Sequence, residues 1–279
     1  MIRKQQEYFR PETLENALQL LARPGVRSIL IAGGTQVVAG VRPDIDALID
    51  LAALPLDFIR TDRDSLRLGS MTRLHTICDS PELRAFGCGA LPKTALHSGS
   101  GLLRNQGTLG GAVLTPRMAG ELCAALLVLD AEVLIQRLEA SITLPLAALY
   151  KEIDGGINGS ILTEVRIPAP ARDALFDCPR VSRSPAGPPI LAVAALTRIQ
   201  RETIVECRIA AVGAGPQPRR LPDLEVLLRG LSATPEPVLT AAAKATESLD
   251  LRDDMLASAE YRQAIFPVLT CRAVIGRPT

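Results

Sequence analysis

IAGGTQ at residues 31–36 and RNQGTLGG at residues 104–111 are the two stretches on which the reading of this chain turns. Each carries a glycine pair, Gly33-Gly34 and Gly110-Gly111, with a threonine beside it, Thr35 and Thr108. Glycine lets the backbone take positive φ and lets N–H groups approach a ligand closely. Successive free N–H groups in such a turn form a concavity that suits a phosphate. Two loops of this kind, far apart in sequence, could clamp a pyrophosphate from both sides. Neither has the GxGxxG or the GxxxxGK[ST] spacing, which removes a Rossmann or a P-loop reading. Taken singly, a glycine pair is more simply a tight turn.

Working outward, the chain has 279 residues, enough for two domains or one large one. With 31 basic and 30 acidic residues its net charge is +1, and the basic residues are scattered, which disfavours a nucleic-acid partner. No apolar run reaches the roughly 18–20 residues of a transmembrane helix. The basic N-terminus, MIRKQQEYFRPETLENAL, has no apolar segment behind it and does not read as a signal peptide. A cytoplasmic protein is expected. The six cysteines stand singly, without a CxxC, and the only histidines are His75 and His97. A zinc or iron–sulfur site made by this chain alone is therefore not expected, and the histidines have no partner motif that would make them catalytic.

The hydrophobic pattern predicts an α+β organisation that breaks near residue 170. Pro11 is placed to open a helix carrying Leu14, Ala17, Leu18 and Leu21 on one face, which Pro24-Gly25 ends. Strands are expected at 28–32, 47–51, 65–69, 130–136 and 161–167. Leu122 to Leu129 is nearly all apolar and reads as a buried helix entered after Gly120. Beyond Pro168-Ala169-Pro170, residues 178–189 hold four prolines and lead into two apolar runs, 190–199 and 203–214. These read as an antiparallel pair turning at Arg201-Glu202. Helical patterns fill the remainder, around Leu224, 238–249 and 261–274. Strands followed by helices, without βαβ alternation, argue for α+β.

The order of IAGGTQ, then LRLGSMTRL, then LLRNQGTLGGA with ELCAALLVLDAEV, closing on SILTEVRIP and SAEYRQAIFPVLTCRAV, is distinctive. It resembles the flavoprotein (medium) subunit of the molybdenum hydroxylases, the family of aerobic carbon monoxide dehydrogenase and xanthine dehydrogenase. RVSRSPAG at 180–187 also resembles a branch associated with purine-type hydroxylases. The resemblance implies an FAD-binding domain of the PCMH type over residues 1–170, with subdomains of about 1–55 and 56–170. A C-terminal α+β domain with a three-stranded antiparallel sheet would follow over 176–279. It implies that FAD lies extended with its pyrophosphate between the loops, held by Ala32, Gly33, Gly34, Thr35 and Gln36 and by Thr108, Leu109, Gly110, Gly111 and Ala112. An acid later in the second motif commonly accepts from a sugar hydroxyl, and Glu121 holds that place. A helix-dipole carboxylate, worth about 0.3–1 kcal/mol, is a compatible reading of Glu121. Arg104, ahead of the second loop, is equally open to phosphate neutralisation or to a solvated surface role.

The chain departs from the family pattern at Ala112, where an amide side chain is usual, and at Arg117, where an acid is common. Gly187-Pro188-Pro189 replaces an acidic–aromatic pair near the flavin ring, while Arg180 and Arg183 keep the segment's basic character. The implied function is electron transfer: from a molybdopterin large subunit through [2Fe–2S] centres on a small subunit to FAD here, then to an external acceptor. A dimer of heterotrimers is the implied assembly. The competing readings are a stand-alone flavin oxidoreductase, and a scaffold subunit that binds FAD weakly or has lost it.

Overall fold

Three sheets organise the computed structural model, which describes residues 7–37, 45–62, 64–152 and 157–276. Residues 1–6, part of the stretch read above for a signal peptide, lie outside the described set.

The first sheet is built from β1 (Glu7–Phe9), β2 (Ser28–Ile31) and β3 (Ala47–Asp50), with α1 (Leu14–Leu21) after β1. Its order is β1-β3-β2 and both pairings are parallel. This departs from the expected absence of βαβ alternation. β1 has only three residues, two of them exposed, so no alternation was there to detect. The predicted helix forms, but it starts after Thr13, whose side chain accepts from the Asn16 N–H at 3.2 Å. A threonine N-cap defines the start more strongly than the proline upstream. Ala17 and Leu18 of α1 bury against Ile49, Leu51, Leu54 and Leu56, joined by Ile161 from the second sheet.

The second sheet contains β4 (Ile59–Thr61), β5 (Ser65–Gly69), β6 (Glu132–Gln136), β7 (Ser141–Pro145) and β8 (Ile161–Pro168). It runs β4-β5-β8-β6-β7 and is antiparallel throughout. Between β5 and β6 lie six helices: α2 (Leu74–Asp79), α3 (Pro81–Ala85), α4 (Ala90–Ala95), α5 (Gly101–Gln106), α6 (Leu109–Leu114) and α7 (Gly120–Val128). A further helix, α8 (Leu146–Glu152), follows β7. Every residue of α7 is buried, as its apolar run requires. A helix without a polar face cannot sit at a surface.

The third sheet gathers β9 (Leu175–Asp177), β10 (Arg180–Ser182), β11 (Pro189–Gln200), β12 (Thr203–Val212) and β13 (Arg219–Arg220), followed by α9 (Pro222–Leu228), α10 (Pro235–Thr246) and α11 (Ala259–Ile275). β11 and β12 form the expected hairpin, with Arg201 and Glu202 at φ 47° and 60° in its two-residue turn. Both central residues at positive φ match the right-handed twist of the strands. Five strands replace the three expected. β9 and β13 have three and two residues, too few for a periodic signal.

The second and third sheets share one core around α7. Ala194, Leu196 and Ala210 of the third sheet belong to the same buried cluster as Leu122, Leu126 and Leu127. Each fully buried leucine contributes about 1.5–3 kcal/mol. Charge reinforces the joint. Arg220 donates to the Leu127 carbonyl at 2.8 Å, to Asp130 at 2.5 Å and to Glu225 at 2.6 and 3.1 Å. Arg208 meets Asp130 at 2.7 Å from the next strand.

Candidate functional site

The IAGGTQ loop leaves the end of β2 at Ile31, where strand pairing with β3 stops. Gly34 sits at φ 72°, a conformation that suits glycine. The N–H groups of Gly33, Gly34, Thr35 and Gln36 donate to no other described residue. These are the unspent donors in a concave turn that an anion needs.

The RNQGTLGG segment is built differently. It is the end of α5 and the start of α6, not an open loop. Thr108 caps α6, its Oγ1 accepting from the Gly111 N–H at 3.2 Å. The Leu109 N–H donates to the Thr72 carbonyl at 2.8 Å, that of Gly110 to the Ser70 carbonyl at 2.7 Å, and that of Ala112 to the Thr108 carbonyl at 2.9 Å. Four consecutive N–H groups of this stretch, those of Leu109 to Ala112, are therefore already paired, two to the Thr72 and Ser70 carbonyls and two to Thr108. Its glycines serve close packing. A Cβ on Gly110 would lie 2.9 Å from Ser70 Cβ. α6 is fixed from behind by the Tyr150 hydroxyl, which donates to the Val113 carbonyl at 3.1 Å, and by Cys123 Sγ on the Ala112 carbonyl at 3.4 Å. Burial, above all, pushes the Cys123 thiol up to about 12 and raises Tyr150 as well, so both stay neutral donors.

The two glycine stretches meet. A Cβ on Gly33 would fall 1.8 Å from the Gln106 carbonyl oxygen and 3.2 Å from Gly107 Cα. Only a glycine permits this backbone-on-backbone contact. Together they form one side of a cavity of about 820 Å³, within the range of small-molecule and cofactor sites. Ala32, Gly33, Gly34, Thr35 and Gln36 line it, as do Thr108, Gly110, Gly111 and Ala112. Leu109 does not line it and is fully buried. Glu121 does not line it either. Its carboxylate, 1% exposed, faces Arg180 with Nε 2.6 Å from Oε1.

Further lining residues carry no motif. Ser70 and Ser98 each place a buried hydroxyl there with no partner among the described residues. Ser70 belongs to the quoted LRLGSMTRL stretch, but nothing in the sequence marks its side chain. Leu51, Leu74, Leu103, Leu114 and Ile161 supply apolar wall, and Pro188 reaches it from the third unit. Arg117 is the one charged lining residue among those described. Arg104 donates through Nη1 to the Leu96 and Gly99 carbonyls at 2.9 and 2.6 Å, and His75 meets Asp79 at 3.1 Å; neither lines the cavity. His97, also outside it, is held below the usual imidazole range by burial and then by Arg180 and Arg104.

Unspent N–H donors, orphaned hydroxyls, a glycine-only contact and a long apolar wall fit an extended cofactor with an anionic centre. The comparisons with known proteins agree. Residues 3–170 match the family described as "FAD binding domain in molybdopterin dehydrogenase", and residues 182–276 that of the "CO dehydrogenase flavoprotein C-terminal domain". The chain is 27% identical to the 6-hydroxypseudooxynicotine dehydrogenase complex subunit alpha of Paenarthrobacter nicotinovorans, over 98% of this chain and 96% of that one. It is 29% identical to the nicotine 6-hydroxylase medium subunit of the same organism, over 96% and 95%. Reconstituted CO dehydrogenase from Oligotropha carboxidovorans superposes with a TM-score of 0.88 at 23% identity, over 98% of this chain and 97% of that chain, which establishes the fold.

Proposed function

The chain belongs to the FAD-binding family of molybdopterin dehydrogenases, and on that premise we propose that it is the electron-transfer flavoprotein subunit of a molybdenum hydroxylase. Its expected partners are a molybdopterin-bearing large subunit and a small subunit with [2Fe–2S] centres, assembled as a dimer of heterotrimers in the cytoplasm. Among the described residues no helix is long and apolar enough to cross a membrane, and no His, Cys, Asp or Glu cluster could hold a metal. We further propose the division into an FAD-binding domain, 1–170 with subdomains of about 1–55 and 56–170, and a C-terminal domain, 176–279.

The observation that carries this reading is the contact between Gly33 and the Gln106–Gly107 backbone, which makes one wall from two stretches. In the proposed site the N–H groups of Gly33, Gly34, Thr35 and Gln36 receive the pyrophosphate. Thr108, whose Oγ1 accepts from Gly111, keeps a proton to donate. Gly110, Gly111 and Ala112 allow close approach, and Leu109 packs beneath them. Ser70 and Ser98 would offer hydroxyls to the cofactor's polar oxygens, and the apolar lining would keep water from it. FAD, when bound, supplies the capacity to take up two electrons and release them to an acceptor; the protein orients it and tunes its surroundings.

The absorbance spectrum of the purified chain tests this. The two-band spectrum of oxidised flavin, with molybdopterin and iron–sulfur subunits co-purifying, is the expected result. A colourless chain that takes up no added FAD would leave the scaffold reading. Turnover of a substrate by the isolated chain would favour a stand-alone oxidoreductase.

A further inference from the structure

Glu121 and Arg180 come from the two halves of the chain, the first turn of α7 and the start of β10. Their side chains are 1% and 12% exposed. The contact at 2.6 Å is ionic rather than a well-aligned hydrogen bond, and neither carboxylate oxygen has a hydrogen-bond partner among the described residues. A carboxylate taken this far out of water is costly unless a cation is held against it. Burial raises the proton affinity of Glu121, and Arg180 opposes that shift.

The rest of the Arg180 guanidinium is occupied by one short turn. Nη1 donates to the Pro185 carbonyl at 2.8 Å and Nη2 to the Gly187 carbonyl at 2.6 Å. Residues 183–186 are exposed, and Pro188, next along, lines the FAD cavity. Among the described residues the turn is also held by Ser182, whose hydroxyl donates to the Ser184 carbonyl at 2.9 Å, and by Arg183, whose Nε donates to the Leu256 carbonyl at 3.1 Å. The planar guanidinium thus joins a carboxylate of the FAD-binding half to a turn of the C-terminal half, which its rigid fork suits.

We propose that Glu121 is a positioning residue: its carboxylate fixes the Arg180 guanidinium, which holds the Ser184–Pro188 turn as the C-terminal domain's wall of the cofactor cavity. In this chain Glu121 acts on the site through Arg180, not by touching a sugar hydroxyl. The proposal rests on the FAD reading for its consequence, but the turn itself can be probed without cofactor.

Limited trypsinolysis of the FAD-free full chain, followed by mass spectrometry, reads cleavage at Arg183–Ser184. Iodide quenching of bound flavin fluorescence, with FAD titration, reads the wall over the cavity. Glu121→Ala should accelerate the cleavage and weaken FAD retention about tenfold or more, as expected when one partner of a buried charge pair is removed. Glu121→Gln keeps the shape but not the charge that holds the guanidinium, and should fall between wild type and Glu121→Ala in both readouts. Arg180→Lys keeps the charge but cannot reach two carbonyls as well, and should resemble Glu121→Ala while remaining folded by circular dichroism. Unchanged cleavage and quenching in Glu121→Ala would overturn the proposal. So would a loss of FAD affinity in both Glu121 variants with the turn undisturbed, which would place the carboxylate on the ligand. If the wild-type chain takes up no FAD while the variants still loosen the turn, the FAD reading fails and the positioning role stands.

Discussion

Replacing Gly33 with alanine should separate the two stretches that form the cofactor wall. The added Cβ would lie 1.8 Å from the Gln106 carbonyl oxygen and 2.6 Å from its carbon. Carbon–oxygen contacts settle at about 3.3–3.6 Å, so one backbone must withdraw by about 1.5 Å. Neither neighbour is a flexible side chain that could swing aside; the obstacle is the carbonyl that ends α5. Overpacking of this kind costs about 1–3 kcal/mol. At 1.4 kcal/mol per decade, the FAD dissociation constant should rise by about 5- to 150-fold if the strain is released by opening the cavity.

Gly110→Ala provides the graded control. Its Cβ would meet Ser70 Cβ at 2.9 Å and the Ser70 carbonyl oxygen at 3.1 Å, a misfit of about 0.6 Å against ordinary carbon–carbon contact. Its effect should be smaller, with FAD affinity falling in the order wild type, Gly110→Ala, Gly33→Ala. Fluorescence titration of apoprotein with FAD gives the constants, and FAD-free thermal melts separate strain in the fold from loss of binding. Gly33→Ala with wild-type FAD affinity and an unchanged FAD-free melt would refute the reasoning.

Three other changes test the joint and the buried groups. Arg220→Met removes the cation shared by Glu225, Asp130 and the Leu127 carbonyl; it should cost about 2 kcal/mol in urea unfolding, reduced from the fully buried case because Asp130 is partly solvated. Tyr150→Phe deletes the bond to the Val113 carbonyl and should cost about 1–2 kcal/mol by the same measure, with an unchanged m-value. His97 has its folded pKa below the unfolded value of about 6.5, first through burial and then through Arg180 and Arg104. The stability it contributes is present above pH 6.5 and lost as pH falls through the lower folded value. Wild-type melting temperature should therefore decline over that window more steeply than that of His97→Gln, and parallel curves would show that folding does not disfavour the charged imidazole.

Which parts of this architecture could be read in advance follows from where their determinants lie. The Gly33-Gly34 loop was legible because a short apolar strand runs straight into a turn, and both signals are local. α7 was legible because Leu122 to Leu129 leaves no polar face. α6 was not: two glycines, each about 1 kcal/mol worse than alanine in a helix, speak against Leu109–Leu114. The helix exists because Ser70 and Thr72, some forty residues earlier, accept its first N–H groups. β1 was missed for its length, and with it the parallel sheet. Ser70, Ser98 and Pro188 reach the cavity through tertiary placement alone. The pairing of Glu121 with Arg180 depends on how two halves of the chain dock, so a motif could place Glu121 near a cofactor without revealing what it touches.

The composition of the cavity bears on the kind of chemistry this chain supports. Its described lining holds hydroxyls, backbone, aliphatic side chains and the single cation Arg117, but no histidine, carboxylate or thiol. A reductase that delivers hydride to a carbon substrate and protonates the neighbouring atom needs a placed acid. Among the described residues the lining offers none: Glu121 is turned to Arg180, and His75, His97 and Cys123 lie outside it. Electron relay makes no such demand, since the cofactor accepts and passes on reducing equivalents while the protein only holds it. The wall of the cavity is shared among all three sheets, with the loop after β2, the α5–α6 stretch with Ile161, and Pro188 each contributing to it. A site divided in this way is complete only when the units are docked, and the Arg220 and Glu121–Arg180 contacts join them.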